Sequence, residues 1–391
     1  MCDKKIAFAV CGVGAIGSAH ANALYGGKID GAYLAALCDT DPEKLALCAE
    51  KFPEVPRFAS HEELIDSGVC EALMIAVPHY SHVPIAEYAL KKGVHVLSEK
   101  PVAVEASEAR RAVAFAKEKG LLYGVMFNQR TTPVYIKARE IVKNGVIGEL
   151  RRTLFVASAW YRTQHYYDNG GWRATWKGEG GGVLLNQAPH QLDLLQWLVG
   201  MPANVYGDCG ISLWHDIEVE DDAVIVGRYE NGASCVFIAS TGELPGTNRL
   251  EITGSRGKLV AEGGKLKLFV NSFDEMDVRN TAIKSSYRAD GKWEDITPEK
   301  LERDGHEIVL ENFAHVLLGK EKELICPADE AINALDLSNA AYLSAYEGHP
   351  VPVPCNGEHF KKMLCEYKEK GKGVRLGNVE YHAEYSSRWK P

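Results

Sequence analysis

The sequence predicts an α/β protein of two domains: a doubly wound parallel sheet, then an α/β domain with a large, mostly antiparallel open sheet. At 391 residues the chain is too long for one ordinary domain. Short continuous apolar runs alternate with helical patterns up to residue 128, as in a parallel sheet covered by helices on both faces. Strand patterns joined by turn signals dominate the later part. We therefore place the domains at residues 1–128 and 129–391.

Composition excludes several classes of protein. The net charge of −9 argues against binding to nucleic acid or to an anionic membrane, because both attract a basic surface. No apolar run approaches the roughly 18 residues of a membrane-spanning helix, and the N-terminus lacks a signal-peptide pattern, so we expect a cytoplasmic protein. The ten cysteines are scattered without Cys-x-x-Cys spacing, which predicts reduced thiols and no metal site.

The first strand and the turn after it form a nucleotide-binding pattern. The apolar run Ile6–Cys11 leads into a G-x-G-x-x-G turn and then a helix to Tyr25. This order places a pyrophosphate on backbone N–H groups at a helix N-terminus, as in a Rossmann domain. The candidate cofactor-binding residues of this turn are Gly12, Gly14, Ala15, Ile16 and Gly17.

Asp39 ends the second strand, Tyr33–Cys38, about 20 residues after the last glycine of the turn. A carboxylate at this point accepts a hydrogen bond from the ribose 2′-hydroxyl of NAD and repels the 2′-phosphate of NADP, so we expect NAD as the preferred cofactor. The alternative is that Asp39 caps the helix that starts near Pro42, and both roles can hold together.

Strands and helices then continue to alternate. A capping box opens a short helix at Ser60, and the further elements are strand Ala72–Val77, helix Val83–Lys92, strand Val94–Leu97, helix Glu105–Lys119 and strand Leu121–Phe127. Ligands of a doubly wound sheet bind at the carboxyl ends of its strands. The residues at or just after such ends, and hence further cofactor-binding candidates, are Pro78, His82, Glu99, Lys100 and Asn128.

Lys100 is the candidate with the most direct chemical role. An ammonium in this loop would face the nicotinamide, and an oxidised, positively charged ring would lower the pKa of the lysine, making it a better proton partner near neutral pH. The alternative is a solvated surface lysine, which is the usual state of a lysine in a loop.

Residues 160–176 combine aromatic rings with hydrogen-bonding side chains, among them Tyr161, Trp172 and Arg173. Aromatic faces stack on the C–H faces of a sugar while polar groups bind its hydroxyls. This pattern favours a carbohydrate substrate. The alternative is an aromatic-rich loop packed in a domain or subunit interface.

The stretch Gly180–Asp193 contains three consecutive glycines and then a helix start. We expect the glycines to let the backbone approach a flat ligand, Asn186 to cap the helix, and Pro189 to occupy its first turn. His190 would then lie in the opening turn beside the ligand. The alternative is that His190 is a buried histidine with a structural role only.

The remaining chain predicts further strands and three helices. The strands lie at 205–213, 223–229, 233–241, 250–253, 258–261 and 265–270, with a hairpin turn at Glu230-Asn231-Gly232, and the helices at 306–318, 327–346 and 358–369. Residues 271–305 are polar and irregular. An open sheet has an apolar face to cover, so we expect a homodimer or homotetramer formed through this sheet.

Taken together, these motifs resemble the Gfo/Idh/MocA oxidoreductase family, which includes glucose–fructose oxidoreductases and inositol dehydrogenases. The resemblance rests on the glycine-rich turn, Asp39, Glu99-Lys100-Pro101 and Gly180–Asp193, in that order. It implies a Rossmann domain, an oligomerising second domain, a catalytic lysine at Lys100 and a catalytic histidine at His190. Many members carry Asp-x-Gly-x-His where this chain has Asn186-Gln187-Ala188-Pro189-His190. Because an amide cannot titrate, Asn186 can only orient substrate by hydrogen bonds.

These observations predict an NAD-dependent enzyme that oxidises a secondary hydroxyl of a sugar, glycoside or nucleotide sugar, with His190 as acid/base and Lys100 stabilising the alkoxide. The substrate-binding candidates are Asn186, Arg173, Trp172, Tyr161 and Asp193. Alternatives are a redox-neutral glycosidase or lyase that keeps its NAD, an inositol dehydrogenase, and, more remotely, a non-catalytic NAD-dependent sensor.

Overall fold

The computed structural model describes residues 4–169, 171–282 and 284–371. Residues 1–3 of the predicted first domain and residues 372–391 of the predicted second domain lie outside the described residues. Within the described ranges, no helix combines the length and the apolar character needed to cross a membrane. The chain forms two sheets joined by helices, which confirms the predicted α/β fold class.

Six parallel strands form the first sheet, in the order β3-β2-β1-β4-β5-β6. They are β1 (Ile6–Cys11), β2 (Ala32–Cys38), β3 (Arg57–Phe58), β4 (Ala72–Ile75), β5 (His95–Ser98) and β6 (Tyr123–Val125). Every residue of β1 and β4 is buried, which accounts for their continuous apolar sequences. The strand order reverses between β1 and β4, so the loops after these two strands flank the crevice where such sheets bind ligands.

Five helices connect these strands: α1 (Ala15–Tyr25), α2 (Pro42–Lys51), α3 (His61–Asp66), α4 (His82–Lys91) and α5 (Ala106–Glu118). The capping box predicted at Ser60 is present, since the Ser60 side chain accepts a hydrogen bond from the Glu63 N–H. The helices and strands therefore alternate as the apolar pattern predicts.

Nine strands form the second sheet, in the order β14-β13-β12-β11-β7-β10-β9-β8-β15. They are β7 (Leu150–Ala157), β8 (Asn204–Ile211), β9 (Glu220–Arg228), β10 (Ser234–Ser240), β11 (Asn248–Gly254), β12 (Gly257–Glu262), β13 (Lys265–Val270), β14 (Trp293–Ile296) and β15 (Val351–Pro352). Strands β7 and β10 pair in parallel and the other neighbours are antiparallel. The predicted hairpin joins β9 to β10, and Gly232 supplies its φ of +83°.

The second half also contains helices α6 (Pro133–Lys143), α7 (Gln164–Asp168), α8 (Pro189–Val199), α9 (Glu275–Val278), α10 (Gly305–Leu317), α11 (Ala328–Glu347) and α12 (Gly357–Lys370). Helices α8 and α11 pack together, α8 also against β7 and α11 against β8. Tyr206 and Val226, register partners in β8 and β9, are each almost half exposed on the sheet. The expected homo-oligomer stays a prediction.

Helix α10 returns to the first sheet. Its buried side chains Val309, Leu310, Phe313 and Ala314 share a core with β1 and β4. The Phe313 ring packs edge-on against Phe8 of β1, with the centroids 5.8 Å apart. Just before α11, the Cys326 carbonyl accepts a hydrogen bond of 2.9 Å from the N–H of Val125, in the edge strand β6. Residues of the predicted second domain thus complete the core of the first sheet, and the domain boundary stays a prediction.

The sequence patterns missed the short elements. Strands β3 and β15 have two residues each, while α9 and β14 lie in the segment 271–305 that we expected to be irregular. These elements bury little apolar surface of their own, so they leave no periodic signal.

Candidate active site

The turn after β1 has the backbone geometry of a phosphate-binding loop. Gly12 has a φ of +90°, and a Cβ atom there would lie 2.4 Å from the Ala76 carbonyl oxygen. A Cβ on Gly17 would lie 1.8 Å from the Gly12 carbonyl oxygen, so helix and strand can pack this closely only with glycine. A Cβ on Gly14 would meet no described atom within 4 Å. Because the N–H groups of 15–17 in the first turn of α1 have no acceptor in their own helix, this open space can hold a pyrophosphate.

Asp39 lies against this turn. One carboxylate oxygen accepts a 2.8 Å hydrogen bond from the Val13 N–H, and the other accepts a 2.9 Å bond from the Asp41 N–H. The alternative role of Asp39 as a helix cap is wrong. Asp41 stands directly before α2 and its side chain accepts from the Glu43 N–H. Asp39 lies two residues too early for that bond.

Glu99 follows β5 and forms a buried pair with a residue that the sequence analysis did not single out. The Glu99 carboxylate lies 2.8 Å from Nε2 of His20, in α1. Burial raises the pKa of Glu99, but the hydrogen bond and charge of His20, with the charges of His306 and Lys100, lower it to about 2. Nδ2 of Asn128 lies 3.3 Å from Nδ1 of His306, in α10. The sequence carried no signal for His20 and His306, because folding alone brings α1 and α10 together.

Pro78 and His82 both follow β4, but only Pro78 fits the predicted place at the crevice. Pro78 opens the loop after the strand. The His82 side chain is fully buried, with Nδ1 2.7 Å from the Pro101 carbonyl oxygen and Nε2 2.7 Å from the Val77 carbonyl oxygen. Because both ring nitrogens are engaged by backbone carbonyls, the His82 side chain has no free nitrogen to offer the cofactor that we expected it to bind.

Lys100 points from the end of β5 toward the glycine stretch of the second half. Its Nζ donates a 2.7 Å hydrogen bond to the Asn186 carbonyl oxygen, and its peptide bond to Pro101 is cis. Burial lowers the pKa of Lys100, which the charges of Glu99 and Glu179 partly offset. Lys100 is therefore held at the contact between the two halves and is not the solvated surface lysine of the alternative interpretation.

His190 occupies the first turn of α8, as predicted, and only 9% of its surface is exposed. Its ring packs edge-on against Phe127, with the centroids 5.6 Å apart. Burial, and next the charge of Lys100, lower the pKa of His190 to about 3. Nδ1 has no hydrogen-bond partner among the described residues. A neutral imidazole with an unused nitrogen beside an ammonium can accept a proton from a bound hydroxyl.

The three glycines serve protein packing. A Cβ on Gly180 would lie 2.5 Å from Val104, on Gly181 2.3 Å from the Tyr342 hydroxyl, and on Gly182 1.9 Å from the Glu220 carbonyl oxygen. The expectation that these glycines make room for a flat ligand is therefore wrong, because protein atoms fill the space.

Asn186 and Glu179 form a second buried pair. Asn186 does not cap α8, whose N-cap is Ala188 without a side-chain bond. Its Nδ2 donates instead to the Glu179 carboxylate, whose other oxygen accepts a 2.7 Å bond from the Ala174 N–H. Glu179 is 1% exposed, and burial raises its pKa. Glu179 was not among the predicted site residues, although a charged residue between Gly178 and Gly180 was a usable signal.

The aromatic residues of 160–176 surround two arginines. The Arg173 guanidinium lies 4.7 Å from the Trp172 ring centroid and 5.1 Å from that of Tyr166, which also contacts Arg162 at 4.7 Å. Tyr161 is 40% exposed. Burial raises the pKa of Tyr166, but the positive charges of Arg173, Arg162 and Lys100 outweigh this and lower it. Tyr166 is thus a site neighbour that the sequence analysis did not single out.

Asp193 is not available to a substrate. Both of its carboxylate oxygens accept from Arg130, at 2.7 and 2.8 Å, and the two side chains are 1% and 0% exposed. The structure therefore argues against the predicted role of Asp193 in substrate binding, because the carboxylate is buried and both of its oxygens accept from Arg130, one of them also from Gln196.

The described part of the chain contains no group of three or more His, Cys, Asp and Glu side chains that could hold a metal ion. Nine cysteines are described and each has a free thiol, whereas Cys2 lies outside the described residues.

Two family models match the chain, and together they span more than half of it. Residues 6–127 match the oxidoreductase family with an NAD-binding Rossmann fold. Residues 135–260 match the GFO/IDH/MocA C-terminal domain. Both matches follow the order of the two sheets described above.

Relatives and solved structures are similar over most of the chain. The uncharacterized oxidoreductase YrbE of Bacillus subtilis is 23% identical over 92% of this chain and 99% of its own. Myo-inositol 2-dehydrogenase of Thermotoga maritima is 26% identical over 65% of this chain and 74% of its own. The WlbA dehydrogenase from Bordetella pertussis, solved in complex with NADH and UDP-GlcNAcA, superposes with a TM-score of 0.75 at 28% identity, covering 90% of this chain and 100% of that one. This chain therefore belongs to the Gfo/Idh/MocA oxidoreductase family and has an NAD-binding Rossmann domain.

Proposed function

We propose that this protein is an NAD-dependent dehydrogenase that oxidises a secondary hydroxyl of a sugar, glycoside or nucleotide sugar to a ketone, or catalyses the reverse reaction. The observation that carries the proposal is the pairing of His190, whose buried Nδ1 has no described partner, with the Lys100 ammonium at the carboxyl end of β5. The WlbA dehydrogenase complex with UDP-GlcNAcA supports a carbohydrate ligand.

The residues around the crevice fit NAD. The open space at Gly14 and the first turn of α1 suit the pyrophosphate, and Asp39 beside that turn suits a ribose diol while disfavouring a 2′-phosphate. Glu99 and Asn128 stand at the strand ends where the nicotinamide half would bind. NAD supplies the hydride acceptor when it is bound.

Residues of the chain then accept the proton of the substrate hydroxyl and stabilise the charge on its oxygen. Burial and the charge of Lys100 depress the pKa of His190, so its imidazole is neutral and its unused Nδ1 has a lone pair to accept the hydroxyl proton as general base. The Lys100 ammonium stabilises the negative charge that develops on that oxygen. The partly exposed aromatic rings of Tyr161 and Trp172 offer stacking faces for a sugar ring, and Asn186 offers its amide oxygen to a hydroxyl.

A cyclitol is the second candidate substrate. The relative from Thermotoga maritima is a myo-inositol 2-dehydrogenase, and a cyclitol presents a secondary hydroxyl on a six-membered ring to the same pair of residues. No contact of the described site discriminates between a sugar and a cyclitol, so the substrate panel must contain both classes.

The first experiment is a substrate screen on the purified protein. The supernatant of the denatured protein is examined for nicotinamide, and the absorbance of reduced nicotinamide is followed while NAD and a panel of sugars, glycosides, nucleotide sugars and cyclitols are added. Growth of the signal with one class supports the proposal and names that class. Tightly held NAD, with cleavage of a glycoside and no net reduction, would instead establish the redox-neutral alternative.

The second experiment tests the two residues. We expect Lys100→Met and His190→Ala each to lower kcat/KM by about 100-fold or more, because each removes one acid–base or charge-stabilising group. Lys119→Met and His349→Ala are matched controls, since these side chains are 49% and 61% exposed and lie outside the site. Near wild-type turnover in both Lys100→Met and His190→Ala would refute the assignment.

A further inference from the structure

Glu179 is held at several points in the wall of the candidate site. Its carboxylate accepts from the Ala174 N–H and from Nδ2 of Asn186, while its main-chain N–H donates to the Thr175 carbonyl oxygen at 2.9 Å. Its own carbonyl oxygen lies 2.9 Å from Nδ1 of the buried His79. With 1% of its surface exposed, this carboxylate cannot turn toward solvent.

Asn186 connects this carboxylate to Lys100. The Asn186 carbonyl oxygen accepts the 2.7 Å hydrogen bond from Lys100 Nζ, while the Asn186 side chain donates to Glu179. An amide group is planar, so fixing Nδ2 against Glu179 directs Oδ1 away from it. One residue therefore bridges the ammonium and the carboxylate, and its amide oxygen is oriented by that carboxylate.

The charges that face Lys100 come from several elements. Glu99 lies beside it at the end of β5, Tyr166 on α7 and Glu179 in the loop before α8, and all three raise the pKa of Lys100 against the lowering effects of burial and of Arg162. Lys100 in turn lowers the pKa of three buried imidazoles, His79, His82 and His190. Glu99 is already paired with His20 at 2.8 Å. Glu179 is thus the carboxylate that balances Lys100 from the second half of the chain.

We propose that Glu179 is a positioning residue, whose buried carboxylate orients the Asn186 amide and supplies the negative charge that keeps the Lys100 ammonium protonated during the reaction. It acts through these two residues and not on the substrate itself. The inference rests on the proposed function, in which Lys100 must be charged to stabilise the oxygen of the substrate.

The test is Glu179→Gln, which removes the charge and keeps nearly the same shape. Without the negative charge, the pKa of Lys100 falls, so the alkaline limb of the kcat/KM profile should move down by about one pH unit. The ionisation of Lys100 is measured separately, without substrate, from the pH dependence of its acetylation by acetic anhydride, read by mass spectrometry of the peptide that contains it. We expect the same downward shift in that midpoint.

Glu220→Gln is the matched control. Glu220 is a buried carboxylate that holds the same glycine stretch, accepting 2.9 Å bonds from the N–H groups of Gly182 and Leu184, but its partner on the other side is Tyr342. We expect this variant to lower the melting temperature and to leave the Lys100 midpoint in place. Glu179→Asp, which keeps the charge and withdraws the carboxylate from Asn186, should retain the midpoint and raise KM.

The outcomes separate this inference from the proposed function. An unchanged acetylation midpoint in folded Glu179→Gln overturns the role of Glu179, whatever happens to turnover. If Glu179→Gln fails to fold, Glu179→Asp decides: a retained midpoint supports the role of the charge, and a midpoint lowered in this variant, although the negative charge is kept, overturns it. If the midpoint shifts but both Lys100→Met and His190→Ala retain near wild-type turnover, the coupling of Glu179 to Lys100 stands and the proposed function falls.

Discussion

The pair formed by Arg130 and Asp193 allows a sharp test of a structural role against a binding role. Asp193→Asn leaves the Arg130 guanidinium buried with the Ile325 carbonyl oxygen and Glu330 as its remaining acceptors, at 3.1 and 2.6 Å. Removing one partner of a buried ion pair costs about 3–5 kcal/mol. Because two acceptors remain, we expect the free energy of unfolding to fall by about 3 kcal/mol, the lower end of that range.

The assay is urea unfolding followed by fluorescence, together with the KM of whichever substrate the screen identifies. Glu330→Gln is the matched control, because Glu330 contacts the same arginine but is 45% exposed, so its loss should cost less than about 1 kcal/mol. KM should be unchanged in both variants. Wild-type stability combined with a raised KM in Asp193→Asn would show that the carboxylate binds substrate and that the reasoning from burial fails.

Two further predictions concern the cofactor and pH. Asp39→Gly should weaken the preference for NAD over NADP by about tenfold or more, because it removes the negative charge beside the glycine-rich turn. The ratio of kcat/KM for the two cofactors measures this preference. An unchanged ratio would mean that another residue selects the cofactor. The pKa of His190 is depressed to about 3, so its contribution to stability is present above the unfolded value near 6.5 and is lost as pH falls toward 3. Between pH 7 and pH 4 the free energy of unfolding should therefore fall by a few kcal/mol less in His190→Asn than in the wild type, and parallel curves in urea titrations would contradict this.

The sequence alone predicted the features that come from a repeating apolar pattern or from a backbone position that requires glycine. The alternation of apolar runs predicted the parallel sheet. Gly12 and Gly17 occupy positions where only a glycine fits, and Gly14 faces open space. The sequence also predicted the places of Lys100 and His190, at the end of a strand and in the first turn of a helix; their catalytic roles stay a prediction.

The failures share one physical cause: folding decides which group contacts each misassigned residue. Asp193 pairs with Arg130, 63 residues away. The ring nitrogens of His82 contact the carbonyl oxygens of Val77 and Pro101, and the glycines 180–182 pack against Val104, Tyr342 and Glu220. A single sequence shows that a residue is polar or small, but it does not show which group it contacts in the folded chain. Glu179 was not predicted for the same reason, because its proposed role depends on its contact with Asn186 and, through it, on Lys100.

The return of α10 to the first sheet has a consequence for how the protein is made. Phe313 fills the core beside Phe8, although the ribosome adds it long after the six strands of that sheet have emerged. The ribosome adds about 5–20 residues per second, so on the order of ten seconds or longer pass between the synthesis of the six strands and that of Val309, Leu310 and Phe313. During that interval the apolar surface that these side chains later cover stays exposed, so the core of the first sheet is complete only after α10 has been made.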